Sequence, residues 1–472
     1  MKLHLHLLIL AALTASAAAA VSPQAAQQAV DRFTADSTLR HASAGVAIVD
    51  LSNGNIIAGH HQDLATITAS TMKTVTSAAA LQVLGPDYRF TTPVYLDGEV
   101  MGSRLKGNVV VVGSGDPTLG SRYFKEDLDI TREVVAALQT HGITRVDGNV
   151  VVDNSLYPYA PYCDDWDAGD LAWDFGMGVQ AVNYCDNAVR FVFEGHDGTI
   201  ANARLTPEVS GVRIINKLWH GKRDNVNLHL EYATPAVVVS GTVADTTYYF
   251  NISNPTPDVL LRDSLWTSMS QAGIVVHGKT LDTGTQRWLL LEHRSPRLSD
   301  IIQSLLERSD NMFTEALLRA LAHHAGLTAN DANGVQVVNR TLRRLGIDVS
   351  AKFQRDGSGL ARANKASPAF FAQLLTVMNR QRYGQNNTLR LVDLMPRVGV
   401  NARIGSKLSD SKLSGKIAVK SGSMSDVQCY VGYYPAGDPQ WGFVTLINNW
   451  HGSRASLKDR IDTLLLDVFG GK

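Results

Sequence analysis

The segment Ser70-Thr71-Met72-Lys73 opens a run of alanine and leucine residues with helical character. Residues three positions apart share one face of a helix, so the Ser70 hydroxyl and the Lys73 amine are expected to be in contact. A serine hydroxyl is a weak nucleophile until a base removes its proton, and a lysine whose pKa is lowered by burial can be that base. Backbone N–H groups at the start of such a helix could also stabilise an oxyanion. The segment therefore predicts nucleophilic acyl transfer.

The Ser-x-x-Lys spacing is a weak signal when taken alone. It also occurs at Ser103–Lys106 and Ser409–Lys412, both in sequence that is typical of loops. Only Ser70 opens an apolar helix, which ends at Gly85-Pro86. The context, rather than the spacing, therefore singles out Ser70.

A second motif, Ser309-Asp310-Asn311, lies between two helical stretches. Ser309 could relay a proton, and Asn311 could bind a substrate amide or Lys73. The alternative is that Ser309 or Asp310 caps the helix that begins near Met312. On its residues alone, this motif favours the helix cap.

A third motif, Lys420-Ser421-Gly422, ends a strand-like run late in the chain. Lys420 could bind a carboxylate, and Gly422 would let a substrate backbone approach closely. The alternative is an ordinary edge-strand lysine followed by a turn.

The elements that must position these motifs fall into two kinds of sequence. The first and last parts of the chain alternate helices and strands, whereas short strand-like runs separated by turn residues dominate from Tyr88 to Lys279. We interpret this pattern as one discontinuous α/β domain that carries a large β-rich insertion. The predicted strands are 44–50, 417–420, 428–434 and 442–448, and the predicted helices are 25–35, 70–84, 301–306, 312–325, 335–345, 367–379 and 456–469.

The order of the three motifs and their contexts form a pattern that is typical of serine β-lactamases and penicillin-binding proteins. The chain resembles the low-molecular-mass class C penicillin-binding proteins, the penicillin-binding protein 4-like family of D-alanyl-D-alanine carboxypeptidases and endopeptidases. The matching segments are Ala69–Phe90, Val112–Leu119, Ser309–Asn311, Asp356–Arg362 and Lys420–Ser423.

This resemblance implies an α/β (α+β) domain of the serine β-lactamase and penicillin-binding transpeptidase type with large β-rich inserted domains. The implied ranges are 21–87 and 280–472 for the penicillin-binding domain, 88–182 and 245–279 for inserted domain II, and 183–244 for inserted domain III.

The resemblance also implies a serine peptidase that uses no cofactor or metal and acts on peptidoglycan stem peptides or D-Ala–diaminopimelate cross-links. It would form an acyl-enzyme and would be inhibited by β-lactams. The implied roles are Ser70 as nucleophile, Lys73 as base, Ser309 and Asn311 as the second catalytic element, Lys420 as carboxylate clamp, Ser421 and Gly422 as substrate-binding residues, and the backbone N–H groups of Ser70 and Ser423 as oxyanion hole. Asp153 and Arg362 resemble an acidic and a basic residue that the family uses beside the substrate, although a solvated acid and a surface arginine remain the alternatives.

Three features depart from the family pattern. The chain has Lys-Ser-Gly where relatives often have Lys-Thr-Gly, which keeps the hydroxyl. Ser425 stands where relatives often have glutamine, so the preference for a diaminopimelate side chain stays open. Ala402-Arg403-Ile404 replaces a Gly-Thr-Leu segment, and nothing in the sequence explains that change.

The net charge and the first twenty residues indicate the partners and the location of the protein. Lys plus Arg and Asp plus Glu both number 44, which gives no long-range attraction to nucleic acid or to an anionic membrane. Lys2, the apolar run Leu7–Leu13 and the small residues Ala15–Ala20 have the layout of a secretory signal peptide over residues 1–20. The alternative, a membrane anchor, is disfavoured because the apolar run is too short to span a bilayer. The mature protein is therefore expected in the periplasm, and its oligomeric state stays open.

The sequence contains three cysteines. In an oxidising compartment Cys163 and Cys185 are the plausible disulfide pair, since both lie in one region rich in Trp and Tyr. Cys429 lies in a strand-like run and is expected to be a small buried apolar residue.

Other functions on the same scaffold remain open. The long insertion argues against a β-lactamase, and the absence of a Gly-x-Ser-x-Gly motif argues against an esterase of the α/β-hydrolase type. A peptidoglycan-binding protein without catalysis is a further alternative. The apolar face of the last helix, from Ile461 to Phe469, is expected to pack on the sheet rather than to lie on a membrane surface.

Overall fold

A computed structural model describes residues 21–124, 129–158, 161–196, 199–231, 234–244, 247–284, 287–402 and 404–470. The predicted signal peptide and Arg403 lie outside the described residues. The helices are α1 Pro23–Thr34, α2 Met72–Val83, α3 Ile130–Thr140, α4 Pro257–Gln271, α5 Leu298–Arg308, α6 Asn311–His324, α7 Asp331–Arg344, α8 Pro368–Arg380, α9 Ser406–Ser409 and α10 Arg454–Phe469.

The strands follow the same numbering along the chain. They are β1 Ser43–Asp50, β2 Ile56–His60, β3 Thr66–Ile67, β4 Thr91–Met101, β5 Arg104–Val112, β6 Arg145–Val146, β7 Val150–Asp153, β8 Ala188–His196, β9 Thr199–Thr206, β10 Arg213–His220, β11 Asn225–Glu231, β12 Ala236–Val243, β13 Thr247–Ser253, β14 Val275–Val276, β15 Arg287–Arg294, β16 Lys352–Phe353, β17 Lys365–Ala366, β18 Ala418–Met424, β19 Val427–Tyr434 and β20 Trp441–Asn448.

A five-stranded antiparallel sheet in the order β18-β19-β20-β1-β2 forms the centre of the first and last parts of the chain. Helices cover both faces, so successive residues of β19 are buried on opposite sides. Cys429 and Val431 point into the core beneath α2 and α6, whereas Tyr430 points into the core beneath α1 and α10. This double burial explains why the strands are continuously apolar instead of alternating.

Helix α2 lies inside the molecule, and most of its residues are buried. Small side chains such as Ala78, Ala79 and Ala80 let neighbouring helices approach it closely. It ends where predicted, because Gly85 follows the helix with φ +80°, a conformation that stops helices, and Pro86 cannot continue it. The helix therefore provides a rigid support for residues at its first turn.

The described residues in the middle of the chain form three sheets, which confirms the β-rich character of this segment. A six-stranded sheet has the order β14-β6-β5-β4-β15 with β7 on β5, and two three-stranded sheets have the orders β13-β8-β9 and β10-β12-β11. Two helices that the sequence analysis did not predict, α3 and α4, pack together beside the larger sheet.

Strand β15 pairs with β4 from the start of the middle segment, for example through Arg294 and Thr91. The predicted division would place β15 in the penicillin-binding domain, because the second part of that domain is predicted to begin at residue 280. The pairing favours a boundary nearer residue 294, and the division into domains stays a prediction.

The predicted disulfide between Cys163 and Cys185 is wrong, because the structure has all three cysteines as free thiols. Cys163 packs with Trp166 and Ala361, whereas Cys185 packs against the core of the middle segment. Nearness in sequence and shared aromatic neighbours did not bring the two sulfur atoms together. Cys429 is fully buried, as predicted.

The last helix packs on the central sheet, as predicted. Ile461, Leu464 and Leu465 are buried with Val46 and Ile48 of β1. Within the described ranges, no helix combines the length and the apolar character that crossing a bilayer requires.

Candidate active site

The chain turns sharply immediately before Ser70. Ala69 has φ +44°, a left-handed conformation that is costly for a residue with a Cβ, and a short 3₁₀ turn over Ala69–Thr71 leads into α2. This geometry places Ser70 at the start of the helix and Lys73 one turn later. The Lys73 Nζ lies 3.1 Å from the Ser70 Oγ.

The other two Ser-x-x-Lys pairs are placed differently. Ser103 lies in an exposed turn between β4 and β5, and Lys106 lies on β5. Ser409 ends the short helix α9, and Lys412 follows that helix in a loop. Ser70 and Lys73 are the pair that lies at the start of a buried helix.

The Lys73 amine is fully buried and contacts two further oxygens. It donates to Asn311 Oδ1 at 2.5 Å and to the Ser358 carbonyl at 2.8 Å. Burial lowers the pKa of Lys73 to about 8, although the carboxylates of Asp356, Glu315 and Asp310 favour the charged amine. A substantial fraction of the amine is therefore neutral near pH 8.

The second motif both caps a helix and contributes side chains to the cluster, through different residues. Asp310 caps α6, since its carboxylate accepts from the Phe313 N–H at 2.9 Å. Ser309 has φ +62° between α5 and α6, and this turn directs its hydroxyl to Lys420. Asn311 begins α6 with its amide oxygen on Lys73. The cap thus fixes the backbone that presents Ser309 and Asn311.

The third motif lies on β18, beside the start of α2. Lys420 is buried, and its amine donates to Ser309 Oγ at 2.9 Å and to the Ser421 carbonyl at 2.6 Å. A Cβ at Gly422 would lie 2.8 Å from the Ser70 backbone nitrogen, so glycine is needed for the strand to pass this closely. The structure thus brings the three motifs together.

The two residues that flank Gly422 lie nearer the surface of this cluster. Ser423 is exposed and pairs with Gln428 in the ladder between β18 and β19, and Ser421 is half-buried. Arg362 donates to the Ser425 carbonyl at 3.1 Å, so it lies beside the turn that follows β18.

Asp153 lies elsewhere in the fold. It ends β7, where its backbone oxygen accepts from the Gly113 N–H and its carboxylate from the Ser155 N–H. These bonds connect Asp153 with its own sheet and a neighbouring turn, not with the cluster of Ser70, Lys73 and Asn311.

Two contacts of the cluster come from backbone atoms that the sequence analysis missed. The Phe175 carbonyl, in the inserted segment, accepts from Asn311 Nδ2 at 2.6 Å and so fixes which end of the amide faces Lys73. The Ser358 carbonyl accepts from Lys73. The family resemblance of Asp356–Arg362 marked the second of these segments, whereas a backbone oxygen such as that of Phe175 has no signature in the sequence.

Comparison of the sequence with known proteins finds a carboxypeptidase family and related carboxypeptidases. The family model described as "D-Ala-D-Ala carboxypeptidase 3 (S13) family" matches residues 26–466. A D-alanyl-D-alanine carboxypeptidase from Actinomadura sp. (strain R39) is 26% identical and aligns with 93% of this chain and 84% of its own length. The D-alanyl-D-alanine carboxypeptidase DacB from Haemophilus influenzae is 24% identical, with 86% of each chain aligned.

Solved structures show the same fold. The crystal structure of penicillin binding protein 4 (dacB) from Haemophilus influenzae superposes with a TM-score of 0.78 at 23% identity, covering 93% of this chain and 97% of that one. A predatory peptidoglycan endopeptidase from Bdellovibrio bacteriovorus superposes with a TM-score of 0.53 at 15% identity, covering 90% and 92%. The predicted fold class is therefore confirmed.

Proposed function

Because the chain belongs to the D-Ala-D-Ala carboxypeptidase 3 (S13) family of serine peptidases, we propose that it cleaves D-alanyl peptide bonds of peptidoglycan through an acyl-enzyme on Ser70. The observation that carries this proposal is the buried Lys73 amine, which joins the Ser70 hydroxyl to Asn311. A hydroxyl, a base of lowered pKa and an amide at hydrogen-bonding distance are the parts that acyl transfer requires.

In the proposed acylation, the neutral Lys73 amine accepts the Ser70 proton while Ser70 Oγ attacks the carbonyl of the penultimate D-Ala. The C–N bond then breaks, and the leaving amine takes the proton of the Ser309 hydroxyl, which the proton on Lys73 replaces, so that Lys73 is neutral again. Lys420 supports this relay because its ammonium donates to the Ser309 hydroxyl. Water hydrolyses the ester in the second half of the reaction and restores Ser70.

The substrate backbone is proposed to lie along β18. The N–H groups of Ser70 and Ser423 would bind the oxyanion, since Gly422 lets β18 approach the Ser70 backbone. Ser421 and Gly422 would line the bound peptide. Lys420 would bind the terminal carboxylate, as the charge of a buried ammonium suggests.

Replacing Lys420 with alanine tests the clamp. Removing one partner of a buried charged pair costs about 2–5 kcal/mol, so kcat/KM for a peptide that ends in a free D-Ala carboxylate should fall at least about thirtyfold. The matched control is the same peptide with a C-terminal carboxamide. Steady-state kinetics on both peptides measure the effect, and an equal loss on both would show that Lys420 supports the reaction without recognising the carboxylate.

The balance between carboxypeptidase and endopeptidase activity is open on this site. We propose that both occur, because Arg362 lies beside the turn after β18, where the stem side chain of a cross-linked substrate would extend. Asp153 remains a weaker candidate for this recognition, since its bonds go to its own sheet and to the turn that follows β7.

Digestion of purified muropeptides followed by mass spectrometry tests the proposed function. Loss of one alanine from pentapeptide monomers is expected from carboxypeptidase activity, and conversion of cross-linked dimers to monomers from endopeptidase activity. If neither product forms while the protein still binds purified peptidoglycan, the chain is a peptidoglycan-binding protein without catalysis. Rapid turnover of a chromogenic cephalosporin would instead favour a β-lactamase.

We further propose a periplasmic location. This follows from the secretory pattern of residues 1–20 and from a substrate that lies outside the cytoplasm. β-Lactams should acylate Ser70, because they present a strained amide at the position of the scissile bond. They should be released slowly, because ring opening leaves the departing amine attached to the acyl group.

A further inference from the structure

The turn Asp356–Gly359 lies between the two helices that carry Ser70 and Asn311. Its Gly357 and Ser358 carbonyls point towards α2, where Thr76 Oγ1 donates to the first at 2.7 Å and Lys73 Nζ to the second at 2.8 Å. Lys73 and Thr76 are three residues apart and therefore share one face of α2.

The N–H groups of the same two residues point towards α6. Glu315 accepts both, at 2.8 Å from Gly357 and at 2.7 Å from Ser358, with one carboxylate oxygen for each bond. Glu315 is four residues after Asn311, so both side chains project from the same face of α6. One face of α6 thus contacts Lys73 directly through Asn311 and indirectly through this turn.

We propose that Glu315 is a positioning residue for the Lys73 amine, acting through the backbone of Gly357 and Ser358. The inference rests on the proposed function, in which Lys73 must accept the Ser70 proton. A neutral amine has two N–H groups and one lone pair. Asn311 Oδ1 and the Ser358 carbonyl occupy the two N–H groups, so the lone pair faces Ser70 Oγ.

Burial raises the pKa of Glu315 to about 8, and above that pH its negative charge adds to this orientation. By accepting from the N–H groups of Gly357 and Ser358, the Glu315 carboxylate fixes the backbone that presents the Ser358 carbonyl to Lys73. The same charge favours the protonated form of the Lys73 amine. Glu315 therefore has two separable effects, one on the geometry of the amine and one on its titration.

The turn has a second support besides Glu315. Asp356 accepts from the Gly359 N–H at 2.7 Å and from the Trp166 indole N–H at 2.8 Å, so the turn is also held to the inserted segment. Gly359 itself has φ +83°, and a Cβ there would lie 2.0 Å from the Ala69 carbonyl. These contacts place the turn directly against the residue that precedes Ser70.

The test compares Glu315→Gln with Asp331→Asn in the full chain. Asp331 is a matched control because its charge acts on Glu315, while its carboxylate binds Arg319 and not the turn. Competitive trace labelling of lysines, read by mass spectrometry across a pH series, gives the Lys73 titration. Stopped-flow acylation by fluorescent penicillin gives the limiting rate at high pH.

In Glu315→Gln the Lys73 titration midpoint should fall by up to about one pH unit, because the anion that Glu315 becomes near pH 8 is lost. The limiting acylation rate should fall about tenfold or more, since one N–H of the turn loses its acceptor and the amine shifts. Asp331→Asn should leave the limiting rate within about twofold of wild type, as expected for a charge outside the direct contacts. An unchanged midpoint together with an unchanged limiting rate in folded Glu315→Gln would overturn the proposal.

Glu315→Asp separates the effect of the negative charge from the effect of side-chain length. It also tests the proposal if the glutamine variant does not fold. It keeps the anion but is one methylene shorter, so the midpoint should stay near wild type while the limiting rate falls. A wild-type limiting rate in Glu315→Asp would refute the positioning role. If wild-type protein itself is not acylated, the proposed function fails, whereas the Lys73 titration still decides whether Glu315 acts on the amine.

Discussion

Replacing Ser70 with alanine is expected to abolish covalent labelling by fluorescent penicillin and to lower the hydrolysis of D-Ala-D-Ala peptides by about 10⁴-fold or more. The reason is that Ser70 supplies the only atom that the proposed mechanism bonds to the substrate. Gel fluorescence after incubation with labelled penicillin measures the first effect, and release of D-Ala measures the second.

The same variant should remain folded. Lys73 keeps Asn311 and the Ser358 carbonyl as acceptors when the Ser70 hydroxyl is removed, so the melting temperature should stay within about 3 °C of wild type. Ser103→Ala is the matched control, since Ser103 has the same Ser-x-x-Lys spacing but lies in an exposed turn. Retained labelling in Ser70→Ala, or lost labelling in Ser103→Ala, would contradict Ser70 as the nucleophile.

The side chains of the cluster were predictable because each motif combines reactive residue types with a local geometry. Spacing of three on a helix brought Lys73 to Ser70, and the approach of β18 to α2 requires glycine at 422. The backbone oxygens that connect the motifs were not predictable in the same way. The Phe175 and Ser358 carbonyls depend on tertiary folding, and any residue type could supply such an oxygen.

Two further differences have specific physical causes. Ile130, Val134 and Leu138 recur every four residues, as in an amphipathic helix, but the surrounding valine-rich runs led the sequence analysis to describe the region as strands. The thiols of Cys163 and Cys185 lie in different cores, because the chain between them crosses from the Asp356 turn to the larger inserted sheet. Spacing along the chain does not determine whether two sulfur atoms meet.

The rate of acylation by penicillin is expected to rise with pH and to level off above about pH 8. The proposed base is the neutral form of Lys73, and burial lowers the pKa of this amine to about 8. Below that pH the neutral fraction falls about tenfold for each unit, so acylation at pH 6 should be roughly a hundredth of the plateau. Stopped-flow fluorescence across pH 5.5–9.5, at constant ionic strength, measures this profile.

Lys73→Met should lower the plateau by about 10²–10⁴-fold and flatten the profile, because the side chain keeps its length but loses the proton acceptor. Lys352→Met is the matched control. Lys352 is also buried, and burial lowers the pKa of its amine to about 7, but it donates to Gln354 rather than to the cluster. Its replacement should leave the profile of acylation unchanged. A pH profile that shifts in Lys352→Met, or one that keeps its shape in Lys73→Met, would show that Lys73 is not the base. The expected pair of results would assign the titration to the amine that contacts Ser70.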